Sequence, residues 1–279
     1  MSVADTKSLE DLRQLIESYN VLTERLTASQ EALQGEVFEL RRELAEKNRQ
    51  LARKNRLEVL GEMAAGVAHE IRNPLGGMEL YAGLIAREAP DGSNVSRWAG
   101  RIRQATADLS RIVGDILDFT RPLRPSTRPG LLSRGADAAL DLAASALEGS
   151  SISVERRYAE EEPPVEADMN LLQGAFLNII LNAVDAAGEG GRLVVETFAE
   201  QMDGRPAGAV SFTDSGPGID PDSLQRVFDP FFTLKEQGTG LGLAMVARII
   251  EAHGGDVTAS GAKGEGAVFT VTIPAAAAG

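Results

Sequence analysis

The stretch TRPLRPSTRPG, residues 120–130, divides the chain into halves that follow different periodicities. Pro122, Pro125 and Pro129 each remove a backbone donor and restrict φ, so no helix crosses this stretch, and it reads as an interdomain linker over 122–130. Upstream, apolar residues recur at helical spacings throughout. Downstream, helical and alternating patterns are mixed. A chain of 279 residues has room for about two domains on the usual prior of roughly 100–200 residues each.

In the upstream half, Leu9, Leu12, Ile16, Tyr19, Leu26, Leu33, Val37, Leu40, Leu44 and Leu51 all take a or d positions of one heptad frame. A 3.5-residue repeat held this long keeps one stripe facing a partner helix, which predicts a coiled coil within residues 1–56. Thr23 and Gln30 at a positions weaken the seam and set its register. From Leu57 the pattern stays helical through Leu60, Met63, Ala64, Val67, Ile71 and Leu75, and it ends at Pro90-Asp91-Gly92-Ser93. A second helix follows, with Trp98, Ile102, Ala105, Leu109, Ile112, Ile116 and Phe119 at spacings of three and four. Residues 57–121 are therefore predicted to form an antiparallel helical hairpin. One hairpin alone leaves apolar faces uncovered, so a homodimer closing a four-helix bundle is expected.

Beyond the linker, helices are predicted around 133–148, 168–187 and 240–253. Strands are predicted near 152–158, 192–198, 208–213 and 267–273. Helices and strands mixed without strict alternation predict an α+β sandwich over 131–275, with one sheet covered on a face by helices.

Four stretches of this half share one chemistry. Asn178 and Asn182 lie four residues apart and share a helix face, where a side-chain carbonyl oxygen suits Mg²⁺, a hard ion that takes few protein oxygens beside substrate phosphates, and Asp185 follows in the same run as a candidate ATP-site residue. Two asparagines on an otherwise apolar helix would each cost about 1–3 kcal/mol if buried without partners. Asp214-Ser-Gly216-Pro-Gly218 follows the strand AVSFT, and a carboxylate at a strand end accepts from an exocyclic amine. The aromatic run VFDPFFTL leads into Lys235, and Gly238-Thr239-Gly240-Leu241-Gly242 opens a helix whose backbone N–H groups suit phosphates. Alone, DSGPG reads equally as a tight turn and the glycine run is a weak signal. The four in this order are a strong one.

The chain holds two histidines, His69 and His253. His253 precedes Gly254 at a helix end, where a ring donor caps carbonyls, a structural role. His69 lies in GVAHEIRNPL, beside Glu70, with Asn73 one turn along the same face and Pro74 next, which removes a donor and is expected to kink the helix.

The order of these motifs resembles the histidine kinase type of the gyrase, heat-shock chaperone, kinase and mismatch-repair ATPase superfamily over about residues 57–275. GVAHEIRNPL resembles the phosphoacceptor box of two-component sensor histidine kinases, nearest the soluble nitrogen-regulation sensor type. The resemblance implies a protein-histidine kinase that autophosphorylates His69 from Mg-ATP, passes the phosphoryl group to an aspartate of a response-regulator receiver domain, and also dephosphorylates that partner. It further implies Glu70 as proton acceptor, Asn73 as the water-orienting amide of dephosphorylation, Asn182 as the Mg²⁺ ligand with Asn178 and Asp185 beside it, and Asp214 as the adenine reader. Gly216 and Gly218 would shape the purine pocket, while Lys235, Gly238, Thr239, Gly240, Leu241 and Gly242 would face the phosphates. The alternatives are an ATPase clamp of the same superfamily, against which Asn178 stands where such enzymes carry a glutamate base, or a nucleotide-binding scaffold without catalysis.

A net charge of −13 argues against a nucleic-acid partner held by phosphate contacts, and the lack of cysteine excludes disulfides and thiolate metal sites. The start MSVADTKSLEDLRQL has no secretory pattern, and no apolar run reaches the ~18–20 residues of a membrane span. The expected location is cytoplasmic, with any stimulus arriving from a sensory partner through the coiled coil.

Overall fold

The structure, a computed structural model, describes residues 71–90, 92–235, 238–262 and 264–276. The coiled coil expected over 1–56, and His69 and Glu70, lie outside the described residues. Residues 71–88 are helical without interruption through Pro74, and this helix is called α1. Ser93 caps the next helix, α2 (Asn94–Thr120), its hydroxyl accepting from Ser96 N–H at 3.1 Å. The buried positions of α2 include Ala99, Thr106 and Val113, and those of α1 include Leu75 and Ala82, all seven residues apart. That spacing is a coiled-coil seam, small residues letting the helices approach. Outside it Leu80, Tyr81 and Trp98 are 62%, 68% and 60% exposed, so the hairpin carries more apolar surface than its own seam covers.

Past α2 the chain forms β1 (Arg128–Gly130), α3 (Leu132–Leu142), α4 (Ala144–Gly149), β2 (Ser153–Arg157), β3 (Val165–Ala167) and α5 (Met169–Ala187). It then continues through β4 (Arg192–Met202), β5 (Arg205–Asp214), α6 (Pro221–Leu224), α7 (Gly242–Ala252), β6 (Asp256–Ser260) and β7 (Val268–Pro274). Five strands build one sheet in the order β2-β4-β5-β7-β6, antiparallel except where β2 runs parallel to β4. Helices α3, α5 and α7 pack together, and α5 lies on β4 and β5. Along β7 burial alternates: Phe269, Val271 and Ile273 enter the core while their neighbours are half-buried. Helix α5 is apolar almost all round because it is the central helix, and Phe176 on it meets Phe212 of β5 with ring centroids 5.4 Å apart.

The sequence reading did not predict β3, α6 or β6, and two further features depart from it. The helix expected over 133–148 breaks at the buried Ala143, which leaves α3 and starts α4. No glycine or proline marks the break; it lets Leu147 turn into the core. Residues 128–130, read as linker, form a strand antiparallel to β3. The edge position explains how Pro129 is tolerated, since only an edge strand can do without one ladder donor.

This junction is fastened by Asp168, the N-cap of α5. Its Oδ1 accepts from Asn170 and Leu171 N–H at 3.1 and 3.3 Å, and its Oδ2 from Ser126 N–H at 3.0 Å. The Ser126 bond, followed by the other backbone donors, holds its carboxyl below the usual aspartate range. A lowered pKa contributes stability that is present above the ordinary value, near 3.9, and is lost as pH falls through the lowered one. His253 completes the junction: its Nε2 accepts from the Asp168 N–H at 3.0 Å, so Nδ1 carries the proton and donates to Ile249 O at 2.7 Å. The structural role expected of His253 is thus a capping bond within α7 joined to a tie between helices. Asp168→Ala is expected to lower unfolding free energy by about 1–2 kcal/mol, read from urea melts at pH 7, with the difference from wild type shrinking as pH falls through the lowered pKa of Asp168.

Candidate functional site

One face of α5, the end of β5, the segment after α6 and the start of α7 surround a cavity of about 950 Å³. Helix α5 contributes Asn178 and Asn182, as their spacing predicts, together with Asp185. The mouth is closed by Lys235, whose Nζ donates to Asn182 Oδ1 at 2.8 Å and to Asp185 Oδ2 at 2.6 Å. Lys235 is expected to face phosphates; its ammonium lies on the Asn182 and Asp185 side-chain oxygens. These atoms therefore gather positive charge, and they are the hard oxygens Mg²⁺ prefers. Among the described residues there is no cluster of three or more His, Cys, Asp or Glu able to hold a metal alone. That donor set fits an ion which takes one or two protein oxygens and completes its shell with water and phosphate.

Asp214 ends β5 and is 4% exposed. Gly216 N–H and Ala267 N–H donate to its Oδ1 at 2.8 and 3.3 Å, so Oδ2 is the oxygen left for a ligand donor. Burial pushes its carboxyl above the usual range despite those two donors. Gly218 follows with φ +74°, and a Cβ there would overlap the Ala262 carbonyl oxygen, so only glycine lets this wall close against residues 262–266. Ile219, Val227 and Phe269 supply apolar lining, and Phe228 stands edge-on to Phe269 at 6.3 Å.

The glycine run forms a tight turn before α7. Phe231 N–H donates to Gly240 O at 3.0 Å and clips the ends of the loop together. Phe231 has φ +66°, costly for a side chain of this size, and Gly240 has φ +66° with its backbone against Phe231 and Phe232. Leu241, the N-cap of α7, is 2% exposed and makes no side-chain capping bond, leaving the first N–H groups of the helix without that partner. Gly238, Thr239, Gly240, Leu241 and Gly242 all line the cavity.

The structure thus brings the expected set from Asn178 to Gly242 to the cavity lining, except Gly216, which is not among the lining residues. Gly216 stands behind Asp214 and joins the wall through its N–H. Asn73, on the hairpin, is exposed on α1 and is not among the residues lining the cavity. The sequence reading assigned no part of the site to α2, which contributes the charged lining residues Arg111, Asp115 and Asp118. Thr239 Oγ1 donates to Asp115 Oδ2 at 3.1 Å across 124 residues of sequence. Below that contact Phe119 is 1% exposed under the Arg248 guanidinium of α7, 5.0 Å from its ring, and Arg248 donates to Arg121 O at 3.1 Å. No spacing rule reports such a pairing, which exists only in the tertiary fold.

Comparison with known proteins agrees with this geometry. Residues 167–277 match the family described as histidine kinase-, DNA gyrase B-, and HSP90-like ATPase, and residues 59–124 match the His Kinase A (phospho-acceptor) domain. Among curated relatives, the sensor histidine kinase ZraS of Escherichia coli (strain K12) is 36% identical over 221 residues, 78% of this chain and 46% of ZraS. The signal transduction histidine-protein kinase AtoS of the same strain is 34% identical over 219 residues, 78% of this chain and 35% of AtoS. The chain thus spans about half or less of the curated relatives it matches. Among solved structures, full-length ShkA in complex with AMPPNP has a TM-score of 0.63 at 28% identity, covering 78% of this chain and 47% of ShkA. Histidine kinase ThkA in complex with response regulator protein TrrA has a TM-score of 0.59 at 28% identity, covering 80% of this chain and 64% of that one. Among the described residues no helix is long and apolar enough to cross a membrane.

Proposed function

Because this chain belongs to the two-component sensor histidine kinases, joining their phosphoacceptor domain to their ATPase domain, we propose that it phosphorylates its own His69 from Mg-ATP and passes the phosphoryl group to an aspartate of a response-regulator receiver domain. The observation that carries this reading is a single cavity that runs from the buried carboxylate of Asp214 to the glycine turn and ends against α2 of the hairpin. ATP is the ligand such a cavity suits: an amine acceptor at one end, phosphate donors at the other.

In the proposed reaction one nitrogen of the neutral His69 imidazole attacks the γ-phosphorus, the bond to the β,γ-bridging oxygen breaks, and ADP leaves. Glu70 takes the proton from the other ring nitrogen, which keeps the phosphoimidazole neutral. Asn182, with Asp185 nearby, would hold Mg²⁺, which supplies shielding of the phosphate charge. Asp214 Oδ2 accepts from the adenine amine, the apolar lining packs the ring, and the N–H groups of Gly238–Gly242 hold the phosphates in line, so the protein's part is chiefly positioning. Asn73, exposed on α1, can reach a docked receiver domain and orient water against its aspartyl phosphate, giving the reverse activity. The uncovered apolar side chains of α1 and α2 support a homodimer through a four-helix bundle. The ThkA–TrrA complex supports a receiver domain as the partner.

The test is incubation with γ-labelled ATP and Mg²⁺, followed by purified receiver domains. The expected result is label on the chain that survives base, is lost in acid, and moves to a cognate receiver. Steady ATP turnover with no labelled protein would overturn this reading in favour of an ATPase clamp.

Asp214 makes the binding step pH-dependent. Its raised pKa means that the ionised carboxylate costs the fold stability: the contribution present below the ordinary value, near 3.9, is lost as pH rises through the raised one. Binding runs the other way, because a proton on Oδ2 replaces the acceptor by a donor. ADP affinity measured by calorimetry is expected to fall on acidification at a higher pH than an exposed aspartate would dictate. Asp214→Asn is expected to weaken ADP about 10- to 100-fold at pH 7, the worth of a hydrogen bond to a charged group, while leaving thermal stability equal or higher.

A further inference from the structure

The contact between α2 and the glycine turn puts an anion at the place where the proposed function puts phosphate. Asp115 Oδ2 accepts from Thr239 Oγ1 at 3.1 Å, and Thr239 is the middle of the turn Gly238-Thr239-Gly240. Arg111, one turn earlier on α2, approaches Asp115 at 3.7 Å, and Asp118 lines the same cavity. Both members of that ion pair are substantially exposed, at 51% and 37%, so Arg111 offsets the Asp115 charge only in part. The face that α2 turns to the phosphate end thus carries two carboxylates and one guanidinium. The cavity repeats the pattern with opposite sign at Asn182 and Asp185, where the protein's own cation, Lys235, sits on the atoms suited to a metal.

Asp115 is not what holds α2 to the ATPase domain. That work falls to Phe119, buried beneath Arg248, and to the Arg248 bond with Arg121 O, about one helical turn beyond Asp115. Asp115 is a charged contact placed above an apolar pivot.

Resting on the kinase reading above, we propose that Asp115 is a positioning residue that competes with the nucleotide's terminal phosphate for Thr239 and its turn, so that α2 contact at this turn and ATP binding oppose each other. A triphosphate entering the cavity breaks the Thr239–Asp115 bond and repels the carboxylate, which frees the hairpin to swing about Phe119. By reciprocity, whatever presses α2 onto the turn lowers affinity for ATP by the same factor.

The test is titration of the full chain with AMPPNP and with ADP, each with Mg²⁺, by calorimetry. Asp115→Asn keeps an acceptor for Thr239 and loses the charge; Asp115→Ala loses both. Each is expected to bind AMPPNP about five-fold tighter or more, the lower end of ordinary coupling between sites, with a smaller gain for ADP, which lacks the terminal phosphate. Asp115→Glu, which restores the charge, is expected to return affinity toward wild type. Unchanged or weaker AMPPNP binding in whichever of the Asn and Ala variants folds, or an equal gain for ADP, overturns the competition while leaving the kinase reading intact. A wild-type chain that binds neither nucleotide overturns both.

Discussion

His69→Gln is expected to abolish labelling from γ-labelled ATP while leaving AMPPNP affinity within about two-fold of wild type. The separation follows from where the parts lie. The cavity that would hold ATP is built from α5, β5, the glycine turn and α7, with α2 beside it, and among the described residues of the box GVAHEIRNPL, Ile71 to Leu75, none lines it. Glutamine keeps polarity and helix propensity but has no nucleophilic ring nitrogen, so the acceptor is lost rather than weakened. Measured by autoradiography beside calorimetry, the result distinguishes a phosphoacceptor from a residue that supports the fold, since a structural histidine would take nucleotide binding down with it. Residual label of more than about one per cent in His69→Gln would place the acceptor elsewhere.

Gly240→Ala is expected to do the reverse, removing nucleotide binding while sparing the fold. Its φ of +66° already disfavours alanine by about 1 kcal/mol, and the new Cβ would lie 2.5 Å from Phe231 C and 2.7 Å from Phe232 N. Those are backbone atoms and cannot rotate away. The Phe231 N–H to Gly240 O bond that clips the loop would open, and with it the array of N–H groups from Gly238 to Gly242. Loss of the shaped turn is expected to weaken AMPPNP at least 100-fold, because phosphate recognition depends on several donors acting together. The far-ultraviolet spectrum and urea midpoint should change little, as the sheet and the α5 core lie apart from this loop. Near-wild-type affinity would mean that the turn does not touch phosphate.

Much of the ATPase half was legible because its signals are local. The helix over 168–187 was readable from a capping aspartate and an apolar run, and Asn178 and Asn182 share a face by spacing alone. The strand ending at Asp214 is the central strand, buried along most of its length, and stops at glycine and proline. The pair β1–β3 was not legible, since three residues around a proline carry no alternation and gain a strand only by meeting each other. Nor was the end of α3 at Ala143, decided by how Leu147 meets the core. Within the site, motif spacing led to the adenine and phosphate ends, yet it was silent on the wall supplied by α2, because Asp115 and Thr239 meet through the tertiary fold alone. Lys235 shows the same limit: its charge was evident, its partners on α5 were not.

The strand at Arg128–Gly130 and the Asp168 bond to Ser126 leave only residues 122–125 between the last tie of α2 and the first tie of the ATPase domain. Four residues span at most about 14 Å when fully drawn out. The ATPase domain is therefore tied close to the end of α2, and Leu123, within those four residues, packs against its core. Lengthening that tie with glycine and serine would loosen the coupling between hairpin and ATPase domain before it changed any lining residue of the nucleotide cavity.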